Sequence, residues 1–207
     1  MRKVNVAIFG SPGVGKTTFS AHVRQGPHFD PDFIPPVTIS VDMETITQYD
    51  VLAVSETVEV LMFDFQGAGA QKEHLQRMGA FARKANVVLF VYDVTRRDSF
   101  EEIRTIWAPH CVQACHDNPV CMLVGNKLDA VGPDTKRAMT EREVKALGAA
   151  VNASHCFEIS ALKGSPADVK LPLDIALTEW LARPRPVSPN NPLRLVEEGD
   201  GTEKGCC

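Results

Sequence analysis

Apolar runs of strand length alternate with amphipathic helical stretches, and this alternation predicts an α/β fold: a mostly parallel sheet with helices on both faces. Three observations carry the expectation. From the first residues to about position 182, each of the runs Val4–Phe9, Val87–Tyr92, Val120–Gly125 and His155–Ile159 precedes a segment of helical period. A glycine-rich turn separates the first run from its helix. Helix start signals also stand where they are needed. Thr140-Glu141-Arg142-Glu143 fits a capping box, and Ser165-Pro166 fits an N-cap followed by proline at the first helical position.

In chain order, the strand Val4–Phe9 leads to a helix near Lys16–Arg24. Ile39–Val54 and Glu56–Asp64 read as two strands joined by a turn. Val87–Tyr92 precedes a helix over Ser99–Ala114, and Val120–Gly125 precedes one near Glu141–Val151. His155–Ile159 precedes the last helix, Pro166–Leu181. Residues 1–182 thus form one domain. Composition changes at Arg183: residues 183–207 hold four prolines and no helical or strand period, so they read as a disordered tail.

Of 207 residues, 44% are apolar and 23% charged, enough for an ordinary core. A net charge of −4 gives no reason to expect nucleic acid as a partner. The longest apolar run, Val87–Tyr92, is far short of a membrane span, and the N-terminus does not read as a signal peptide. The six cysteines lack disulfide-framework spacing, which suits a reducing cytosol.

Gly10-Ser11-Pro12-Gly13-Val14-Gly15-Lys16-Thr17 matches G-x-x-x-x-G-K-[ST] between a strand and a helix. A polyphosphate needs several main-chain N–H groups converging from one side, so the loop must curl tightly and keep side chains clear. The helix opening at Lys16 adds its terminal N–H groups and dipole. Lys16 brings a cation to the β- and γ-phosphates, and the Thr17 hydroxyl suits Mg²⁺. Pro12 lacks an N–H, so this loop has one donor fewer than an all-glycine version.

A phosphate loop alone leaves ATPases, kinases and GTPases open. Asn126-Lys127-Leu128-Asp129 follows the strand Val120–Gly125, at the carboxyl end where open α/β sheets bind ligands. A carboxylate there can accept from both N1–H and N2–H₂ of guanine. Adenine has no such donor pair and would leave the acid unpaired, which gives strong discrimination.

With these two motifs in place, residues 3–182 resemble the Ras-like small GTPases, whose fold is the P-loop NTPase G domain with a six-stranded sheet. Asp64-Phe65-Gln66-Gly67 is similar to the family's D-x-x-G, which implies Asp64 near Mg²⁺ and the Gly67 N–H at the γ-phosphate. Ser160-Ala161-Leu162 is similar to S-A-K, implying that the Ala161 N–H meets the guanine, with Leu162 in place of the lysine. The resemblance extends the nucleotide contacts to Ser11, Val14 and Thr18, and places Phe29 against the base edge. Thr38-Ile39-Ser40-Val41-Asp42 resembles T-I-G-V-D of the Rab branch and makes Thr38 a switch I ligand of Mg²⁺. Phe90–Thr95 with Asp98-Ser99-Phe100 resembles V-Y-D-V-T…E-S-F of the same branch. The terminal Gly205-Cys206-Cys207 resembles doubly geranylgeranylated Rab ends.

Membership would imply GTP and GDP as ligands, effectors, an exchange factor, an activating protein, prenyltransferase machinery and a GDP-dissociation inhibitor. It would also imply a place on the cytoplasmic face of an intracellular membrane, with a cytosolic pool. The tail's Arg183, Arg185, Arg194 and Lys204 are balanced by Glu197, Glu198, Asp200 and Glu203. With no basic cluster, two lipidated cysteines would supply the second membrane signal that stable anchoring requires. As a flexible coil, the tail would hold the globule roughly 25–30 Å from the membrane.

The family's Gln after the D-x-x-G glycine orients the attacking water; here Ala68 holds that place. If Ala68-Gly69-Ala70 is instead an insertion, Gln71-Lys72-Glu73-His74 falls into register with the family's Q-E-R-F and Gln71 becomes catalytic beside Lys16. Gln66 and His74 are further polar candidates. Weak intrinsic hydrolysis is expected, because an inserted Ala-Gly-Ala loosens the loop that positions water. Counting along the motifs puts Met43, Phe63 and Phe81 at the family's aromatic effector triad, although Phe63 and Phe81 also read as core. Two other classes remain: a nucleotide-holding scaffold that barely hydrolyses, and a P-loop nucleoside kinase or ATPase, which would need an arginine-bearing lid.

His110-Cys111-Val112-Gln113-Ala114-Cys115-His116 invites a zinc reading. The predicted helix turns the two histidines away from the cysteine face, so Cys111 and Cys115 read as small apolar residues at a helix end. His155 and Cys156 read as a strand start, and Met122 and Leu123 as core.

Overall fold

A computed structural model describes residues 1–32, 41–65, 79, 82–114 and 118–184. The strands are β1 (Arg2–Phe9), β2 (Val41–Val51), β3 (Glu56–Phe65), β4 (Val87–Asp93), β5 (Val120–Asn126) and β6 (Ala153–Glu158). They form one six-stranded sheet in the order β2-β3-β1-β4-β5-β6. Only β2 and β3 are antiparallel; the other neighbours are parallel. The helices are α1 (Lys16–Gln25), α2 (Arg97–Glu102), α3 (Ala108–Ala114), α4 (Glu141–Ala150) and α5 (Pro166–Ala182). The expected α/β architecture and sheet are present.

The period of two along each strand sorts the core into two layers. Val87, Leu89 and Val91 of β4 face one cluster with Phe19 and Val23 of α1 and Val169, Leu173 and Leu177 of α5. Val88, Phe90 and Tyr92 face the other with Phe100, Ile103, Trp107, Val144 and Leu147. Met122 and Leu123 fall on opposite faces, both fully buried. All seven residues of β4 and all seven of β5 are buried, as a central parallel strand covered on both sides demands.

Three expectations need correction. The helix over Ser99–Ala114 begins earlier, at Arg97, and is interrupted by a π-helical segment, Ile103–Trp107. Pro109 explains the widening: it has no N–H to donate, and its ring crowds the carbonyl four residues back. The Ala108 N–H reaches instead to the Ile103 carbonyl. The second correction concerns β6, which starts at Ala153, so His155 and Cys156 lie within an edge strand and are exposed. Phe63 is the third. It is 4% exposed and packs in the second cluster with Phe9 and Ala82, so it is core and offers no surface patch. Met43 pairs with Phe63 across β2 and β3; Phe81 lies outside the described residues, as do Cys115 and the tail. Cys111 is buried in the core, as expected of a small apolar side chain.

The α4 capping box forms as read from the sequence. Glu143 N–H donates to Thr140 Oγ1 at 3.3 Å, and Thr140 N–H donates to the Glu143 carboxylate at 2.8 Å. Arg97 adds an ion pair to Glu143 at 2.5 Å. Hydrogen bonding from Arg97, then from Thr140, lowers the Glu143 pKa from 4.5 to about 2. A depressed folded-state carboxyl stabilises the fold above its unfolded pKa and ceases to do so as pH falls through the folded one. In urea unfolding, Glu143→Gln should therefore be less stable than the parent at pH 7. The gap should narrow between about pH 4.5 and pH 2.

Candidate functional site

The phosphate loop leaves β1 at Phe9 and ends where α1 begins. Two of its glycines, Gly10 and Gly15, are dictated by neighbours. Gly15 has φ +91°, and a Cβ there would overlap Asn126 Nδ2; a Cβ on Gly10 would overlap the Val91 carbonyl. Lys16 is 5% exposed, and its ammonium donates to the carbonyls of Gly10 at 2.9 Å and Ser11 at 3.0 Å. The cation is thereby held across the loop that the sequence assigns to phosphate. Thr17 and Thr18, in the first turn of α1, are half-buried.

The loop's outer side is clasped by contacts not anticipated from the sequence. The Ser11 hydroxyl donates to Glu102, at the end of α2. Arg96 Nη1 donates to the Pro12 carbonyl at 3.2 Å, while Nη2 pairs with Asp98 at 2.7 Å. Neither Arg96 nor Glu102 belongs to a recognisable spacing, so only the folded chain brings them to the loop.

At the end of β5, Asn126 is 2% exposed and both ends of its carboxamide are used. Nδ2 donates to the Val14 carbonyl at 2.8 Å, and Oδ1 accepts from the Ala161 N–H at 2.8 Å. One side chain thus joins the phosphate loop to the Ser160–Leu162 turn. Lys127 adopts a left-handed conformation, φ +66°. Its ammonium pairs with Asp93 Oδ2 at 2.9 Å. Burial of Asp93 pushes its carboxyl pKa up, but hydrogen bonds from Lys127 and from Thr95 outweigh this and hold it below the usual range. The sequence showed Asp93 only as part of a branch-like run; its role as the partner of Lys127 required the β4–β5 register, in which Asp93 faces Asn126.

Asp129 lies on the turn Leu128–Ala130, and its Oδ1 accepts from the Ser160 hydroxyl at 2.6 Å. Ser160 Oγ in turn accepts from the Lys163 N–H at 2.9 Å. The two base motifs, 31 residues apart, are therefore one unit. Main-chain bonds from Leu128 N–H to the Ile159 carbonyl and from Ile159 N–H to the Gly125 carbonyl fix both to the sheet. A cleft of about 550 Å³ opens beside this unit, lined by His22, Phe29, Leu162 and Lys163 among others. Phe29 is half-buried and Leu162 is 41% exposed. A second depression, of about 370 Å³, is lined by Asp129, Ser160 and Lys163 among others.

Asp64 lies near the end of β3, its main chain paired with Ile8 and Asp42. Thr38, Gly67, Ala68, Gln71 and the terminal Cys206 and Cys207 fall outside the described residues. Among the described residues no helix is long and apolar enough to cross a membrane.

Comparison with known proteins gives the family. A model of the Ras family matches residues 5–171. Ras-related protein Rab-24 of Dictyostelium discoideum is 28% identical over 211 residues, covering 99% of this chain and 96% of that one. Ras-related protein RABC1 of Arabidopsis thaliana is 30% identical over 173 residues, covering 76% of this chain and 75% of the relative. Mitochondrial Rho GTPase 1 of Mycosarcoma maydis is 27% identical over 197 residues, and the chain spans only 23% of that longer protein.

Replacing Asn126 with Ala leaves the Val14 carbonyl and the Ala161 N–H without their partner. Chemical denaturation should read a loss of about 2–3 kcal/mol, from buried groups left unsatisfied.

Proposed function

This chain belongs to the Ras family of small GTPases, with Rab proteins among its relatives, and on that premise we propose that it is a Rab-like GTP/GDP switch with weak intrinsic turnover. The observation that carries the proposal is the Asn126 bridge. The loop Gly10–Thr17 and the turn Ser160–Leu162, to which Asp129 is bonded, are built against one buried carboxamide, which supports a single ligand with phosphates at one end and a purine at the other.

In this reading Gly10, Ser11, Gly13, Val14, Gly15, Lys16, Thr17 and Thr18 hold the phosphates, with Lys16 countering their charge. Asp129, held by Ser160, selects guanine; Asn126, Lys127, Ala161 and Leu162 shape the rest of the base pocket, and Phe29 covers its edge. The donor set suits Mg²⁺, since the Thr17 hydroxyl stands one residue beyond Lys16 at the helix start, with Thr38 and Asp64 as the further expected holders. When bound, Mg²⁺ would neutralise charge between the β- and γ-phosphates. Thr38 and the Gly67 N–H would sense the γ-phosphate and release with it, ordering and freeing two loops around which effectors are chosen.

Weak turnover rests on Ala68, whose methyl group cannot hydrogen-bond water where the family uses Gln. The same feature favours the second reading, a GTP-holding scaffold that barely hydrolyses. Geranylgeranylation of Cys206 and Cys207 would anchor the switch to an intracellular membrane in vesicle traffic, served by prenyltransferase machinery, a GDP-dissociation inhibitor, an exchange factor and an activating protein.

Single-turnover hydrolysis of bound GTP tests the switch. A slow but measurable rate, slowed further in Gln71→Ala, supports the switch with Gln71 positioning the water. A rate unchanged by Gln71→Ala removes that role, and a rate typical of the family contradicts weak turnover. No hydrolysis over many hours, with GTP retained, selects the scaffold.

A further inference from the structure

His22 lies in α1 six residues beyond Lys16, about 9 Å further along the same helix. It is 3% exposed. Its Nδ1 lies 2.8 Å from the Ala161 carbonyl oxygen. A carbonyl can only accept, so Nδ1 carries the proton and donates. The imidazole also lies flat against Phe29, with ring centroids 4.2 Å apart and planes 10° from parallel. Both rings line the 550 Å³ cleft with Leu162.

These contacts close a circuit. Asn126 joins Val14 of the phosphate loop to the Ala161 N–H. The Ala161 carbonyl accepts from His22. His22 backs Phe29, and α1 returns the chain to Lys16 and the phosphate loop. Two residues lining the 550 Å³ cleft, His22 and Phe29, are thus tied through Ala161 and Asn126 to the Gly10–Thr17 loop. His22 is the member of this circuit that no motif identifies. The ring supplies both a donor and a flat face, and its two partners are the residues expected on either side of the base.

We infer that His22 is a positioning residue that locks Phe29 and the Ala161 turn around the purine and so sets how fast a guanine nucleotide leaves. The inference rests on the nucleotide reading given above. It assigns no contact between His22 and the nucleotide; the imidazole acts through the two groups it holds.

The test is release of ribose-labelled fluorescent GDP from the full chain with Mg²⁺, for the parent, His22→Ala, Phe29→Ala and the double variant. Each single substitution should speed release roughly tenfold, the size expected for one lost contact set. The double variant should be no more than about twofold faster than the faster single, because both break one clamp. A substitution that merely loosened the fold would multiply with Phe29→Ala instead. Release at the parent rate in His22→Ala, or effects that multiply in the double, would overturn the inference. Should His22→Ala fail to fold, His22→Asn keeps an N–H for the Ala161 carbonyl without the ring, and its coupling to Phe29→Ala is read the same way. A parent chain that holds no GDP overturns the nucleotide reading and this inference together. A parent that holds GDP, with variants that release it no faster, overturns this inference alone.

Discussion

The Asn126 carboxamide is sealed from water and satisfied at both ends, by the Val14 carbonyl and the Ala161 N–H. A buried amide missing one partner costs more than the bond itself contributes, so neither loop can move away without exposing the other's loss. This constraint also fixes the sequence around it. Gly15 must lack a Cβ because Asn126 Nδ2 occupies that space. Next to it, Lys127 is left-handed and pairs with Asp93, and the Ser160 hydroxyl, one residue before Ala161, donates to Asp129. The loop Gly10–Thr17 and the turns that carry Asp129 and Ala161 are consequently joined through one side chain and its neighbours.

Charge is arranged around that junction with the same economy. Asp93 is almost wholly buried, yet it stays ionised because the Lys127 ammonium and the Thr95 N–H and hydroxyl all point at it. A buried carboxylate with a matched cation contributes little net stability, but it specifies geometry, since removing one partner strands the other. Arg96 and Glu102 serve the outer side of the phosphate loop in a comparable way, meeting Pro12 and Ser11. Pro12 cannot donate to a phosphate, and its carbonyl is instead the acceptor that anchors the loop to the residue before α2.

Much of this was legible in the sequence, for local reasons. The strands and helices follow from apolar period and capping chemistry, and the phosphate loop and Asn126-Lys127-Leu128-Asp129 are contiguous runs whose residue types the chemistry dictates. What escaped depends on contacts between distant segments. His22 belongs to no motif, because its partners are seven and 139 positions away. Asp93 needed the register of β4 against β5, and the π-helical segment needed the consequence of Pro109 for the turn before it. Counting along the family's motifs puts Phe63 in an effector triad while its apolar character also suits the core, and its burial in the second cluster, with Phe9 and Ala82, places it in the core.

Isothermal calorimetry on nucleotide-stripped protein with magnesium tests most directly whether this joined site is a guanine-nucleotide site. The account predicts tight binding of GDP and binding of ADP weaker by about a thousandfold or more, since adenine leaves the Asp129 acid without its donor pair. Equal affinities for the two, or binding of neither, would contradict it.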